Sequence, residues 1–276
     1  MKLTLGFSPC PNDTFIFDAL VNGKIDTEGL DLDFFLADVE ELNRRAFRSE
    51  ADITKRSCHA YAYAAKDYLI LDSGSALGYG NGPVLIAREH LKNEDVISGK
   101  IAIPGKFTTA NLLFSVAWPR ALKKKEYIFS DIVRAVLEGE ADAGLIIHET
   151  RFTYAERGLL KIADMGEYWD QLTGLPVPLG FIAVNRRIPH ETALKFNRLL
   201  RKSIEYARER SNEIQDFVTS NARELAYNVI NSHIGLYVND FTLSLGQKGR
   251  EAVSELYRIS SEKRIIPELP ASIFLD

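Results

Sequence analysis

The chain has 276 residues, of which 46% are hydrophobic and 26% charged, a composition typical of a globular protein rather than a disordered or fibrous one. Its formal net charge of -4 provides no basic field for a phosphate backbone, so we expect no nucleic-acid partner. The N-terminus lacks an apolar segment of signal-peptide length, and no apolar run approaches the ~20 residues that span a bilayer. We therefore expect a cytoplasmic protein without membrane segments.

The cysteines and histidines do not have the spacing of a metal site. Cys10 and Cys58 stand alone, so we expect free thiols in a reducing compartment. The segment that begins at His148 is not HExxH, because Phe152 stands where the second histidine would be. We expect no metal site.

Apolar, β-rich runs alternate with helical patterns along most of the chain. The predicted strands are Leu3–Phe7, Leu32–Leu36, Tyr68–Asp72, Pro83–Ala87, Lys100–Ile103, Ala143–Ile147, Leu160–Ala163 and Leu179–Val184. This alternation predicts an α/β protein whose sheets are mainly parallel.

After Pro189 the pattern becomes helical. One apolar stripe at helical spacing comprises Ala193, Phe196, Leu199, Leu200, Ile204 and Ala207. Further helical segments follow from about Asn212 to Arg258, so the C-terminal third is predicted to be mostly helical.

Two stretches repeat the same order of elements. Strand KLTLGF leads through the polar loop SPCPNDT into a helix, and strand KIAIPG leads through KFTTA into another. Each stretch later carries Glu-Ala-Asp between a helix and a strand, at 50–52 and at 140–142. The repetition predicts two similar lobes. We assign residues 1–92 and 186–276 to the larger lobe and residues 93–185 to the smaller one.

The polar loops of this repeat follow strands, where open α/β sheets bind ligands. Asn12, Asp13 and Thr14 are N-cap candidates for one helix, and Thr108 and Thr109 for the other. Two helix N-termini with several hydroxyls suit a small anion, most simply a carboxylate. Capping alone would explain the same residues.

The segment DITKRSCHAYAYAA ends a predicted strand at Asp52-Ile53 and begins a helix near Ser57. The Ser57 hydroxyl is either an N-cap or a ligand donor. Lys55 and Arg56 either supply positive charge to an acidic ligand or are solvated.

His148 ends the strand of the second Glu-Ala-Asp copy, where a side chain would emerge into a cleft. An imidazole there could act as a general base near neutral pH, although a lone histidine is more often structural. The histidines at 59, 90, 190 and 233 have no comparable context. The glycine-rich segment 78–82 lacks dinucleotide or phosphate-loop spacing and is interpreted as a connection into the inter-lobe strand.

Seven blocks together resemble one known family. They are SPCPNDTFIFDAL, ADITKRSCHAYAY, LGYGNGPVLIA, IPGKFTTANLL, DAGLIIHETRFTY, LPVPLGFIAVN and IGLYVNDFTLSLG. In this order they look like the characteristic blocks of the 1,4-dihydroxy-6-naphthoate synthases, enzymes of the futalosine route to menaquinone. The resemblance covers nearly the whole chain and implies a two-lobed α/β fold like that of type II periplasmic binding proteins, with the ligand cleft between the lobes.

The resemblance also implies a reaction and a site. It implies a lyase that converts cyclic de-hypoxanthine futalosine, a small-molecule carboxylate, into 1,4-dihydroxy-6-naphthoate and dihydroxyacetone without a cofactor. His148 would be the proton acceptor. With the loop residues above, the predicted substrate-binding set is Asn12, Asp13, Lys55, Arg56, Ser57, Thr108 and Thr109. Two alternatives share the fold: the chorismate dehydratase of the same pathway, and a non-catalytic protein that binds a small anion.

Overall fold

The computed structural model describes residues 1–148, 150–210, 215–222 and 226–276. Its strands are β1 (Lys2–Phe7), β2 (Asp31–Leu36), β3 (Ile53–Ser57), β4 (Tyr68–Ile70), β5 (Ala76–Gly78), β6 (Val84–Ala87), β7 (Ile101–Ile103), β8 (Lys124–Glu126), β9 (Ala143–Ile146), β10 (Leu160–Asp164) and β11 (Val177–Asn185). Its α-helices are α1 (Pro11–Val21), α2 (Val39–Ala46), α3 (Cys58–Ala64), α4 (Asn93–Ser98), α5 (Thr109–Ala117), α6 (Ile132–Leu137), α7 (Thr150–Thr153), α8 (Met165–Thr173), α9 (His190–Glu209), α10 (Gln215–Asn221), α11 (Tyr227–Tyr237), α12 (Asp240–Leu243) and α13 (Gly246–Glu262). The 3₁₀ helices are Phe129–Asp131 and Ala155–Arg157.

The strands form two sheets with the same order and the same directions. The first sheet runs β2-β1-β3-β11-β4, with β5 also paired to β11, and the second runs β8-β7-β9-β6-β10. In each sheet the first three strands are parallel. The last two are antiparallel to their neighbours. We call the parts built on these sheets the first lobe and the second lobe; the repeat seen in the sequence is a repeat of topology.

The strands β6 and β11 connect the lobes. β6 joins the second sheet directly after the strands of the first, and β11 returns to complete the first sheet. Among the described strands, the prediction of mainly parallel sheets fails only at β6 and β11, because a strand that enters from the cleft runs against the parallel strands that end there. Sheet membership favours crossings near 79–83 and 174–176, earlier than the boundaries predicted after residues 92 and 185. We propose the earlier positions.

The two Glu-Ala-Asp copies make the same backbone connection. Thr4 donates its N–H to Asp52 Oδ2 at 2.9 Å, and the Asp52 N–H donates to the Thr4 carbonyl at 3.1 Å. In the second lobe, Lys100 donates its N–H to Asp142 Oδ2 at 2.7 Å, and the Asp142 N–H donates to the Lys100 carbonyl at 2.9 Å. In each lobe the aspartate thus joins the start of one parallel strand to the start of its neighbour.

All strands predicted from apolar runs are present within two residues at each end. The main error concerns β3, which continues to Ser57 although the sequence pattern ended it at Ile53. Its charged residues Lys55 and Arg56 were expected to face an acidic ligand or solvent, yet both side chains are buried against specific partners. The short strands β5 and β8 were not predicted.

The C-terminal helices cover the first lobe. The predicted apolar stripe of α9 is buried throughout and belongs to the core cluster that contains Leu3, Leu5 and Phe7 of β1. The helical pattern predicted from about Asn212 begins outside the described residues, and α10 to α13 follow it. No helix in the described ranges is long and apolar enough to cross a membrane.

Candidate functional site

A cleft between the two sheets contains a cavity of about 90 Å³. The loops after β1, β3, β7 and β9 open into it, because the carboxyl ends of the parallel strands of both sheets face it. The predicted site residues that line it are Asn12, Asp13, Lys55, Arg56, Ser57, Thr108, Thr109 and His148, and further lining includes Ser8, Ala110, His233 and Tyr237.

The loop after β1 enters α1 at least two residues earlier than predicted. Cys10 is the N-cap, and Pro11 is the first helical residue. Proline suits that position, because the first N–H of a helix has no intrahelical partner and the ring presets φ. Asn12, Asp13 and Thr14, predicted as cap candidates, therefore lie inside the first turn.

Asp13 is buried in this turn, and side chains of its own lobe surround it. Its Oδ1 accepts hydrogen bonds from Lys55 Nζ and, at 2.9 Å, from Asn12 Nδ2. Its Oδ2 accepts from the Ser8 hydroxyl at 2.7 Å. A carboxylate in the first turn already offsets the positive end of the helix dipole. The N-terminus of α1 is thus neutralised from within and is a poor site for an external anion.

Arg56 is one of the residues that line the cleft, but its charged guanidinium group points away from the cleft. Successive side chains alternate across a strand, so Lys55 and Ser57 share one face of β3 and Arg56 takes the other. The buried guanidinium lies 3.7 Å from the centre of the Tyr68 ring and donates to the Ala46 carbonyl at 3.4 Å. Burial lowers the pKa of Arg56 to about 10. This differs from the predicted role of a cation directed at the substrate.

Ser57 is the N-cap residue of α3 and faces the cleft. Its hydroxyl oxygen accepts from Asn43 Nδ2 at 3.1 Å, and its N–H donates to Asn43 Oδ1 at 3.1 Å. Because the Asn43 amide donates to the oxygen of the Ser57 hydroxyl, the proton of this hydroxyl can donate to a ligand.

Thr108 caps α5, as the sequence predicts. Its hydroxyl oxygen accepts from the Asn111 N–H at 3.4 Å and donates its proton to the Gly105 carbonyl at 2.8 Å. The first turn, with the sequence TANL, contains no acidic residue. The positive end of this helix dipole is therefore not offset by a local carboxylate.

Thr109 connects the lobes. Its hydroxyl accepts from the Cys58 N–H at 2.9 Å and donates to the Leu179 carbonyl, and both of these partners belong to the first lobe. Because both threonine hydroxyls are used within the protein, α5 offers a ligand mainly backbone N–H groups. Those of Thr109 and Ala110 lie in the first turn, where N–H groups have no intrahelical partner.

His148 is held by side chains from both lobes. Its φ of 57° lies in the left-handed region, which non-glycine residues seldom adopt and which functional sites often contain. The Phe129 ring meets the imidazole edge-on, with centroids 5.0 Å apart. The His233 ring stacks on it at 6.0 Å, and Cys10 Sγ lies 3.6 Å from Nδ1. The structure thus places the predicted base beside the first-lobe loop.

His233 lines the cleft although its sequence context did not mark it. Its Nε2 lies 2.9 Å from Asn12 Oδ1. Because the Asn12 amide group donates to Asp13, its oxygen faces His233, whose Nε2 must carry the proton. Burial, His148 and Lys55 hold the pKa of His233 well below its usual value. His233 is therefore neutral beside His148.

Tyr237 lies one turn after His233 on α11, and their rings are 4.6 Å apart. The i, i+4 spacing places both on one helix face, which is the only signal that could have marked them.

Cys10 and Cys58 are free cysteines. Within the described ranges no group of three His, Cys, Asp or Glu side chains could hold a metal ion.

A family model described as menaquinone biosynthesis matches residues 3–262. The chain belongs to this family. A 1,4-dihydroxy-6-naphthoate synthase from Thermus thermophilus is 40% identical over 273 residues, which are 99% of both chains. Another from Streptomyces coelicolor is 38% identical over 274 residues, covering 97% of this chain and 95% of that protein. The predicted resemblance is confirmed, and with it an enzyme of menaquinone biosynthesis.

Solved structures confirm the fold. A protein from Archaeoglobus fulgidus is 36% identical, with a TM-score of 0.91 and coverage of 96% of this chain and 98% of that one. An alkanesulfonate-binding protein from Xanthomonas axonopodis pv. citri, bound to MOPS, has 13% identity, a TM-score of 0.72 and coverage of 97% and 94%. The family member thus has the two-lobed periplasmic-binding-protein fold, whose cleft suits a small molecule.

Proposed function

We propose that this family member is a lyase that converts cyclic de-hypoxanthine futalosine into 1,4-dihydroxy-6-naphthoate and dihydroxyacetone. The observation that supports it best is that the His148 imidazole and the start of α5, whose first turn contains no acidic residue, line one cleft. The names of the two curated relatives support the same reaction.

The substrate carboxylate would bind at the start of α5. The N–H groups of Thr109 and Ala110 and the proton of the Ser57 hydroxyl are donors on that side, and hydrogen bonds to a charged group contribute about 1.5–3 kcal/mol each. Asp13 needs one of the three Lys55 N–H donors, so the ammonium can also turn a donor toward the ligand. Asn12 and Asp13 form the cleft wall, and Arg56 contributes backbone rather than charge.

His148 would act on the carbon skeleton at the other end of the substrate. Its neutral imidazole takes a proton next to a ring carbonyl, the bond to the sugar-derived fragment breaks, and the bicyclic ring becomes aromatic. The imidazolium then returns the proton to the departing fragment. The atoms of the substrate equal those of the two products, so the step needs no oxidant, reductant or water. Because His233 stays neutral, it does not oppose the transient positive charge on His148.

The test is turnover by the purified protein, with product followed by chromatography and mass. We expect the wild type to form 1,4-dihydroxy-6-naphthoate. In His148→Asn, the rate should fall by about 10²- to 10⁴-fold, the usual contribution of a positioned general base. The matched control is His90→Asn, because His90 is exposed and lies outside the cleft lining. It should retain wild-type activity.

The other outcomes separate the alternatives. Binding of the substrate by the wild type without turnover would indicate a solute-binding protein. Consumption of chorismate would indicate a dehydratase. If His148→Asn and the His90 control both turned over at the wild-type rate, His148 would not be the base. The proposed reaction would still stand.

A further inference from the structure

Arg151 holds the segment through which the chain crosses between the lobes. We call residues 79–83 the crossing segment. Arg151 Nη1 donates to the Gly82 carbonyl at 2.6 Å, and Nη2 donates to the Gly80 carbonyl at 2.9 Å. Nη2 also lies 3.1 Å from Asp164 Oδ2, and both side chains of this ion pair are largely buried. One guanidinium therefore binds two backbone carbonyls and a carboxylate, which its planar fork allows.

The crossing segment is shaped for this contact. Gly80 has a φ of +65°, a conformation that glycine adopts without cost. At Gly82 a Cβ would collide with the backbone of Gly166, at the start of α8. Asp164 Oδ1 accepts from the Gly166 N–H at 2.7 Å, so the partner of Arg151 also fixes that helix start. The positive φ thus explains the glycine at position 80, and the close packing explains the glycine at position 82.

Arg151 also meets the first lobe. Burial raises the pKa of Tyr237 on α11, and the neighbouring Arg151 guanidinium opposes that rise. The Tyr237 ring packs on that of His233, which stacks on His148. The guanidinium thus binds the second sheet and the crossing segment, and it lies near the helix that packs beside His148.

The backbone of Arg151 is tied to His148. The Arg151 N–H donates to the His148 carbonyl at 3.5 Å, and the Thr150 hydroxyl donates to the Ile147 carbonyl at 2.6 Å. A left-handed backbone at a histidine persists only where its surroundings hold it. A shift of the Arg151 side chain would therefore be passed to the imidazole within a few residues.

We propose that Arg151 is a positioning residue that couples the geometry of the crossing segment to the position of the His148 imidazole. The proposal rests on the proposed function of His148 as the base. Positioning acts on the transition state, whereas the carboxylate binds at α5 and Ser57. Loss of Arg151 should therefore lower kcat more than it raises KM.

Steady-state kinetics of Arg151→Gln, Arg151→Lys and Arg157→Gln test the proposal. In Arg151→Gln we expect kcat to fall by about 10- to 100-fold, the cost of displacing a catalytic group by about 1 Å, with KM changed less than about threefold. Arg151→Lys should fall between this variant and the wild type, because one ammonium cannot match the fork. Arg157 is exposed in the neighbouring 3₁₀ helix, so Arg157→Gln removes the same charge and should leave kcat unchanged.

Hydrogen exchange gives a readout that does not depend on turnover. In Arg151→Gln, amides of residues 79–82 and 150–153 should exchange faster than in the wild type, and those of β1 should not. A lower Tm in Arg151→Gln with wild-type kcat would make the residue merely structural and overturn the proposal. Absence of turnover in the wild type would instead contradict the proposed function, so the two failures are distinguishable.

Discussion

The two lobes share one topology, yet equivalent helices present different chemistry to the cleft. The third residue of α1 is Asp13, and the third residue of α5 is Asn111. Each meets a lysine: Lys55 Nζ donates to Asp13, and Lys124 Nζ donates to Asn111 Oδ1 at 3.0 Å. The two side chains have nearly the same shape and differ by one negative charge. That charge decides which N-terminus can receive an anion.

A division of roles follows from this difference. The first lobe neutralises its helix N-terminus and uses the surrounding network to place Asn12, His233 and Cys10 beside the base. The second lobe leaves the start of α5 open and supplies His148 from the equivalent end of β9. Under the proposed function, the carboxylate and the reacting carbon of the substrate would lie at different ends of one cleft.

The largest effect is expected when Asp13 loses its charge. Asp13→Asn leaves the Lys55 ammonium buried without a carboxylate, and breaking a buried pair from one side costs about 3–5 kcal/mol. The free energy of unfolding from urea titration measures this loss. The double variant Asp13→Asn with Lys55→Met removes both charges and should recover at least half of it. An unchanged unfolding free energy in the single variant would show that the pair does not neutralise α1 as we describe.

Much of this site could be predicted because its residues follow strands in a repeat. His148 ends an apolar run, and Thr108 and Thr109 begin a helix after another. These are local signals, and the parallel strands of both sheets bring them to one cleft.

The rest depends on contacts distant in sequence. The direction of the Arg56 side chain depends on the Tyr68 ring, which β4 supplies, so the local sequence could not show that the guanidinium is buried away from the ligand. His233 and Tyr237 reach the cleft only because α11 packs on the first lobe. No periodicity within a single segment carries that information.

An acidic residue at Asn111 would make the second lobe resemble the first. In Asn111→Asp, the new carboxylate lies in the first turn of α5 and repels an anionic ligand, so KM should rise about tenfold with little change in kcat. Burial lowers the pKa of Lys124 to about 8, and the new partner would favour its charged form. The matched control is Asn93→Asp, the same change in the first turn of α4, outside the cleft lining. Equal KM values in Asn111→Asp and Asn93→Asp would mean that the substrate carboxylate does not bind at the start of α5.

The smallest effect concerns Glu40, where α2 of the first lobe touches the loop before α5. A Cβ at Gly105 would meet the Glu40 carboxyl group, which shows how closely the lobes approach here. Burial raises the pKa of Glu40 to about 7. The folded state therefore favours the neutral form of Glu40. Below pH 4.5 Glu40 is protonated in both the folded and the unfolded state, so its burial costs no charge desolvation. Above pH 7 it is ionised in both states, and the folded state bears the full cost of burying the charge.

Glu40→Gln removes that penalty while keeping the shape of the side chain. We expect a gain of about 1–2 kcal/mol at pH 8 and almost none at pH 4, measured as Tm at both pH values. Glu41→Gln is the control, because Glu41 forms an exposed pair with Arg45 that contributes at most about 0.5 kcal/mol. A gain of equal size at both pH values would mean that packing, not charge, sets the cost of Glu40. The contact between the lobes would then be independent of pH, and the carboxylate of Asp13 would remain the charge that distinguishes their helix N-termini.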